Sequence, residues 1–137
     1  MKAGVRAPRV SESAEQRAIV HLLRSLGAEV YVSGTRRKRG DHPGTMQSPG
    51  IPDVEAFIPR PRVSGPLSDR PMRRLVKIEV KAAGGRLRPA QAVYQQRCQE
   101  AGIAHIVGGL DSVIAWLCDH GYARRDQFGH DRQEQSA

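Results

Sequence analysis

Two short runs decide how this sequence folds: Gly50-Ile51-Pro52-Asp53 and, after a basic interval, Ile78-Glu79-Val80-Lys81. Both read as parts of strands. Side chains alternate between the faces of a strand, so Ile78 and Val80 point one way while Glu79 and Lys81 point the other. Pro52 at a strand start costs no ladder hydrogen bond. Two neighbouring strands can therefore bring Asp53, Glu79 and Lys81 together. A carboxylate and an ammonium on one face of an apolar strand are either a structural ion pair or part of a site. A lone E-x-K triplet is too common to decide between the two.

The flanking chain supplies the rest of a small domain. Ser11 or Ser13 opens a helix that runs to about Leu26 and stops at Gly27. Ile19, Leu23 and Leu26 mark its buried stripe, with Leu22 beside it. Carried back towards the N-terminus, the stripe reaches Gln16 and Glu12. Glu12 is equally explained by the helix dipole, which favours a carboxylate at that end. Glu29–Val32 is a short strand, and 53–58 and 75–81 (or 82) are two more. Pro89 fits the first position of a second helix ending at Ala101, whose inner stripe includes Gln91, Tyr94 or Gln95, and Cys98. Ala104–Val107 is a fourth strand, and Asp111 or Ser112 caps a last helix through Ile114, Trp116 and Leu117. The order α-β-β-β-α-β-α predicts an α/β (α+β sandwich) fold with a small mixed sheet. Residues 1–10 read as a flexible basic arm, 11–122 as the domain, and 123–137 as a polar, disordered tail.

Composition narrows the partners. The 137 residues carry 22 Lys and Arg against 14 acidic residues, a formal charge of +8. A sequence pI near 10.3 with clustered basic residues is an electrostatic footprint for nucleic acid. The clusters are Arg36-Arg37-Lys38-Arg39, within a loop at 35–44, and Arg73-Arg74, closing an Arg- and Pro-rich insertion at 59–74. Such side chains can grip phosphates, positioning a nucleic acid without reading its sequence. No apolar run approaches the roughly 20 residues of a membrane span. The first residues lack the apolar core of a signal peptide, so a cytoplasmic protein is expected. Cys98 and Cys118 have no zinc-ligand spacing and read as buried free thiols. The five histidines form no metal pair or dyad, and no glycine-rich loop matches a nucleotide-binding fingerprint.

Glu12, Asp53, Glu79 and Gln91, with Lys81 beside them, all sit where core is expected or at strand ends. Hydrolysis of a phosphodiester needs an activated water, charge neutralisation and help for the leaving oxygen. A divalent cation held by carboxylates meets all three needs. Mg²⁺ suits a site of few carboxylates because it keeps waters and phosphate oxygens as its remaining ligands. A lysine beside the ligands can orient the water or stabilise developing charge.

Taken jointly, Gly50-Ile51-Pro52-Asp53, Ile78-Glu79-Val80-Lys81 and Gln91 resemble the G-x-P-D … E-x-K … Q signature of VRR-NUC domains, within the PD-(D/E)xK nuclease superfamily. Glu12-Ser13-Ala14-Glu15-Gln16 resembles the family's opening E-x-x-x-Q helix, and the resemblance covers about residues 11–117. It implies a restriction-endonuclease-like core. Asp53, Glu79 and the Val80 backbone carbonyl would be ligands of Mg²⁺ or Mn²⁺, with Glu12 contributing through a water. Lys81 would be the catalytic lysine, and Gln91 would complete the site. Between the two acidic residues of the opening helix, the inner stripe favours Glu12 over Glu15. Small stand-alone members of the family, viral or bacterial, are similar in size and act as homodimers on branched DNA, including four-way (Holliday) junctions. Larger relatives carry the domain at the end of DNA-repair nucleases and cut flaps. The resemblance therefore implies a metal-dependent, structure-selective DNA endonuclease, with flap cleavage or non-catalytic nucleic-acid binding as alternatives.

Overall fold

A computed structural model describes residues 10–33, 49–61 and 72–128. The N-terminal arm up to residue 9, the 35–44 loop with Arg36, Arg37, Lys38 and Arg39, residues 62–71 of the expected insertion, and the tail from residue 129 lie outside the described residues. The elements run α1 (Glu12–Ser25), β1 (Glu29–Val32), β2 (Val54–Pro59), β3 (Arg73–Val80), α2 (Pro89–Ala101), β4 (Ala104–Gly108) and α3 (Leu110–Asp119), then a short 3-10 turn at Arg125–Phe128. That turn occupies the start of the segment expected to be a disordered tail.

The sheet is mixed, in the order β1-β2-β3-β4. β1 and β3 each pair antiparallel with β2, and β3 pairs parallel with β4. Alternation on β2 and β3 sends Val54, Ala56, Ile58, Val76, Ile78 and Val80 into one buried layer. Ile19 and Leu23 of α1, Ile106 of β4, and Val113 and Leu117 of α3 complete that core. Fully burying one such aliphatic side chain is worth about 1.5–3 kcal/mol. The other face carries Lys77, Glu79 and His105, where α2 lies with its buried Cys98 and the Tyr94 ring 5.8 Å from that of His105. The sheet is thus sandwiched between α1 and α3 on one side and α2 on the other. Among the described residues no helix is long and apolar enough to cross a membrane.

Local chemistry sets most boundaries. Ser11 Oγ accepts the Ala14 N–H at 3.1 Å and caps α1, a bond worth about 1 kcal/mol. Pro89 begins α2 as expected. Two boundaries differ from expectation. β3 starts at Arg73 and β2 ends at Pro59, paired with each other, so both ends of the expected insertion are ladder residues. The N-cap of α3 is Gly109 and not Asp111 or Ser112. The cap bond comes from another element: Glu15 Oε2 of α1 accepts the Leu110 N–H at 2.7 Å. Cys118, expected to be buried, is half-exposed, while Cys98 is buried.

Candidate active site

The antiparallel β2–β3 register places the start of β2 beside the end of β3, so Asp53 meets Glu79 and Val80. The Val80 N–H donates to Asp53 Oδ2 at 3.0 Å, which fixes that carboxylate at the strand end. Gly50 lets this segment approach α2. Its φ is +87°, and a Cβ there would lie 2.5 Å from the Ala90 carbonyl oxygen. Only glycine fits both the left-handed backbone and the contact.

Glu79 is 3% exposed, the one buried charged residue among the described residues. Gln91 Nε2, from the first turn of α2, donates to its Oε1 at 2.7 Å. The Gln91 amide is itself oriented by the Arg88 N–H, which donates to Gln91 Oε1 at 2.8 Å. Lys81 Nζ stands 3.6 Å from the same Glu79 oxygen. Burial, then the neighbouring Asp53 carboxylate, push the Glu79 carboxyl up to about 7, against the opposing pull of Lys81. A buried carboxyl beside a second carboxylate is a place where added positive charge is favoured.

That donor set fits a divalent cation of the Mg²⁺ type. Among the described residues no three His, Cys, Asp or Glu side chains are grouped to hold a metal. Mg²⁺ asks for one or two carboxylates and keeps its waters, and Asp53 and Glu79 supply that number.

The structure brings together Asp53, Glu79, Lys81 and Gln91, all four named from sequence. It does not bring in Glu12, which is exposed in the first turn of α1. The stripe argument had the direction right and the height wrong. Glu12 sits seven residues before Ile19, about 10 Å along the axis at 1.5 Å per residue, past the elements that cover the helix. Glu15, one turn lower, is half-buried and lines a cleft of about 300 Å³ together with Lys81, Gly85 and Gly109. Gly109 makes room for it: a Cβ there would lie 2.7 Å from the Glu15 carboxylate. Of the basic residues named from sequence and described, Arg73 is exposed and Arg74 half-buried. Both lie at the opposite end of β3 from Glu79.

Helix–sheet–helix layers with carboxylates and a lysine gathered at one sheet end define a restriction-endonuclease-like α/β domain. More narrowly, the fold is that of a VRR-NUC domain. A solved structure titled "VRR_NUC domain" superposes with a TM-score of 0.54 over 80% of this chain and 95% of its own, at 19% sequence identity. No protein-family model and no curated protein matches the chain.

Proposed function

We propose that this chain is a divalent-metal-dependent DNA endonuclease. The observation that carries the reading is the convergence of Asp53, Glu79 and Lys81 on one buried sheet end, with Gln91 locking Glu79 from α2. Asp53, Glu79 and the Val80 carbonyl would hold Mg²⁺ or Mn²⁺. When bound, the cation supplies charge neutralisation and a water of lowered pKa. The chain's own residues do the rest. The Val80 N–H holds Asp53 in place, and Gln91 holds Glu79. Lys81, whose ammonium borders the carboxylates, donates to a phosphate oxygen or to the attacking water and offsets charge as it develops. Glu15, facing the cleft that Lys81 lines, takes the place expected of Glu12. The +8 charge attracts the phosphate backbone by a salt-sensitive, sequence-independent term.

Within this reading the substrate is branched DNA, and a homodimer cuts a four-way junction. Support for that preference comes from symmetry: two copies related by a two-fold axis present two sites to a substrate of matching symmetry. The deciding assay incubates the protein with labelled four-way junction, flap and linear duplex, with and without Mg²⁺ or Mn²⁺. Paired symmetric nicks in the junction, dependent on metal and lost in Lys81→Ala, are the expected result. Equal cutting of linear duplex would remove the junction preference and leave nuclease chemistry. No cutting of any DNA with either cation would overturn the reading.

A further inference from the structure

A cleft of about 730 Å³ lies away from the carboxylates. It opens at the other end of the sheet, where β3 and β4 begin and α3 ends. Glu79 lies six positions along β3 from Arg73, about 20 Å at roughly 3.3 Å per residue. The size of the cleft falls in the range of ligand clefts, and its lining is unlike a plain surface hollow.

His120 and Tyr122 line one wall, with Trp116 packed behind them. The Trp116 ring is stacked with His120 at 4.2 Å and 19°, and with Tyr122 at 5.5 Å and 13°. The Arg74 guanidinium sits over the Trp116 ring, 5.2 Å from its centroid. Arg73, exposed, lies beside it at the mouth. Among the described residues neither Arg73 nor Arg74 has a carboxylate within ion-pair distance. The acid lining the cleft, Asp119, is paired with Arg125 at 3.1 Å. The cleft therefore combines guanidinium charge that no described carboxylate balances with planar π surface.

Those are the two elements that single-stranded nucleic acid requires: cations for the backbone and flat faces for unpaired bases. A guanidinium held against an aromatic ring is also a stacking surface for a base. Paired DNA hides its base faces in its own stack and gains nothing from the flat faces of Arg74 or Tyr122. We propose that this cleft binds unpaired nucleotides of a DNA strand, a base stacking on Arg74 or Tyr122, both backed by Trp116, and its phosphate meeting Arg73. The site lies apart from the carboxylates, so it selects DNA with an unpaired segment near the position being cut. This inference rests on the reading of the chain as a DNA enzyme.

Trp116 is the chain's one tryptophan, so its fluorescence reports on the stacked cluster that backs this cleft. The full chain is titrated in EDTA with twelve-nucleotide oligothymidylate and, separately, with a twelve-base-pair blunt duplex. Trp116 emission is read beside the anisotropy of labelled DNA. Quenching by the single strand and not by the duplex is expected. Arg74→Ala should weaken single-strand binding about tenfold, and Arg74→Lys, which keeps the charge and loses the planar group, nearly as much. Arg73→Ala should weaken it several-fold and lower the salt slope by about 1. Arg73 is exposed, so it carries the test if a variant at Arg74 fails to fold. Unchanged Trp116 emission on single-strand binding, equal quenching by duplex, or undiminished binding in Arg73→Ala overturns the proposal. Cleavage is scored separately with Mg²⁺. A protein that cuts DNA without a Trp116 response loses this site and keeps the nuclease reading. One that is quenched by single strand and never cuts keeps the site and loses the nuclease reading.

Discussion

Gln91 Nε2 and Lys81 Nζ address the same oxygen of Glu79, at 2.7 and 3.6 Å. The nearer donor is neutral and the charged one stands off. Gln91 thus fixes where the carboxylate points, while Lys81 keeps donors free for a third group. Gln91→Ala is expected to lower cleavage or metal affinity about 10–100-fold, the usual loss when an orienting partner of a ligand is removed. Titration of Mg²⁺ in the cleavage assay separates the two, since weaker affinity shifts the midpoint and poor orientation lowers the plateau.

The raised pKa of Glu79 means that burial and the Asp53 carboxylate oppose its charge more than Lys81 supports it. Glu79→Gln should therefore stabilise the metal-free protein at pH 8 by about 1 kcal/mol, roughly 4 °C in Tm for a domain of this size. The same change should abolish cleavage and the rise in Tm that Mg²⁺ gives the parent chain. Melting curves in EDTA and in Mg²⁺ check both, and a fall in the EDTA Tm counts against the repulsive pair.

Glu15 and Glu12 are three residues apart and predicted to behave differently. Glu15→Ala removes the acceptor for Leu110 N–H and should cost about 1–2 kcal/mol, as lost caps do. Glu12→Ala, at an exposed position, should stay within about 0.5 kcal/mol. Urea denaturation gives the stabilities. Cleavage rates should follow the same order if Glu15 borders the substrate cleft.

His105 gives the pH dependence. Burial lowers its pKa below the ordinary 6.5, and its buried Nδ1 has no hydrogen-bond partner in the described structure. The folded state therefore resists protonation more than the unfolded one. The stability this protects is fully present above about pH 6.5 and is lost as pH falls through the lowered folded value. Between pH 7.5 and 5 the denaturation midpoint of the parent should fall further than that of His105→Phe. Parallel falls would assign the acid sensitivity elsewhere.

How much of this was legible depended on whether the deciding contact was local. Ser11, Pro89 and the alternation of Ile78-Glu79-Val80-Lys81 act on their own neighbours, and α1, α2 and the four-residue cluster came out where sequence put them. The cap of α3 did not, because its acceptor sits on another helix. Glu12 was preferred to Glu15 because periodicity gives a side chain's bearing and not the reach of the elements that cover it. The stacking of Arg74 on Trp116 has no local signal either. It exists because Arg74 lies two residues from Val76, on the face of β3 that α3 covers.

The bond between Glu15 and Leu110 spans 95 residues, and that span bears on how the molecule comes to be folded. Closing so long a loop is an entropic cost incurred before the contact returns anything, and contacts of this kind slow folding. On a ribosome the first helix emerges long before the last, so the start of α3 lacks its acceptor until nearly the whole domain has been made. The first and last helices are thereby yoked, and the chain should fold as one cooperative unit. Lys81 and Glu15 come to face each other across their cleft only when that unit closes, so a partly synthesised chain would hold its charged residues without the arrangement that lets them act.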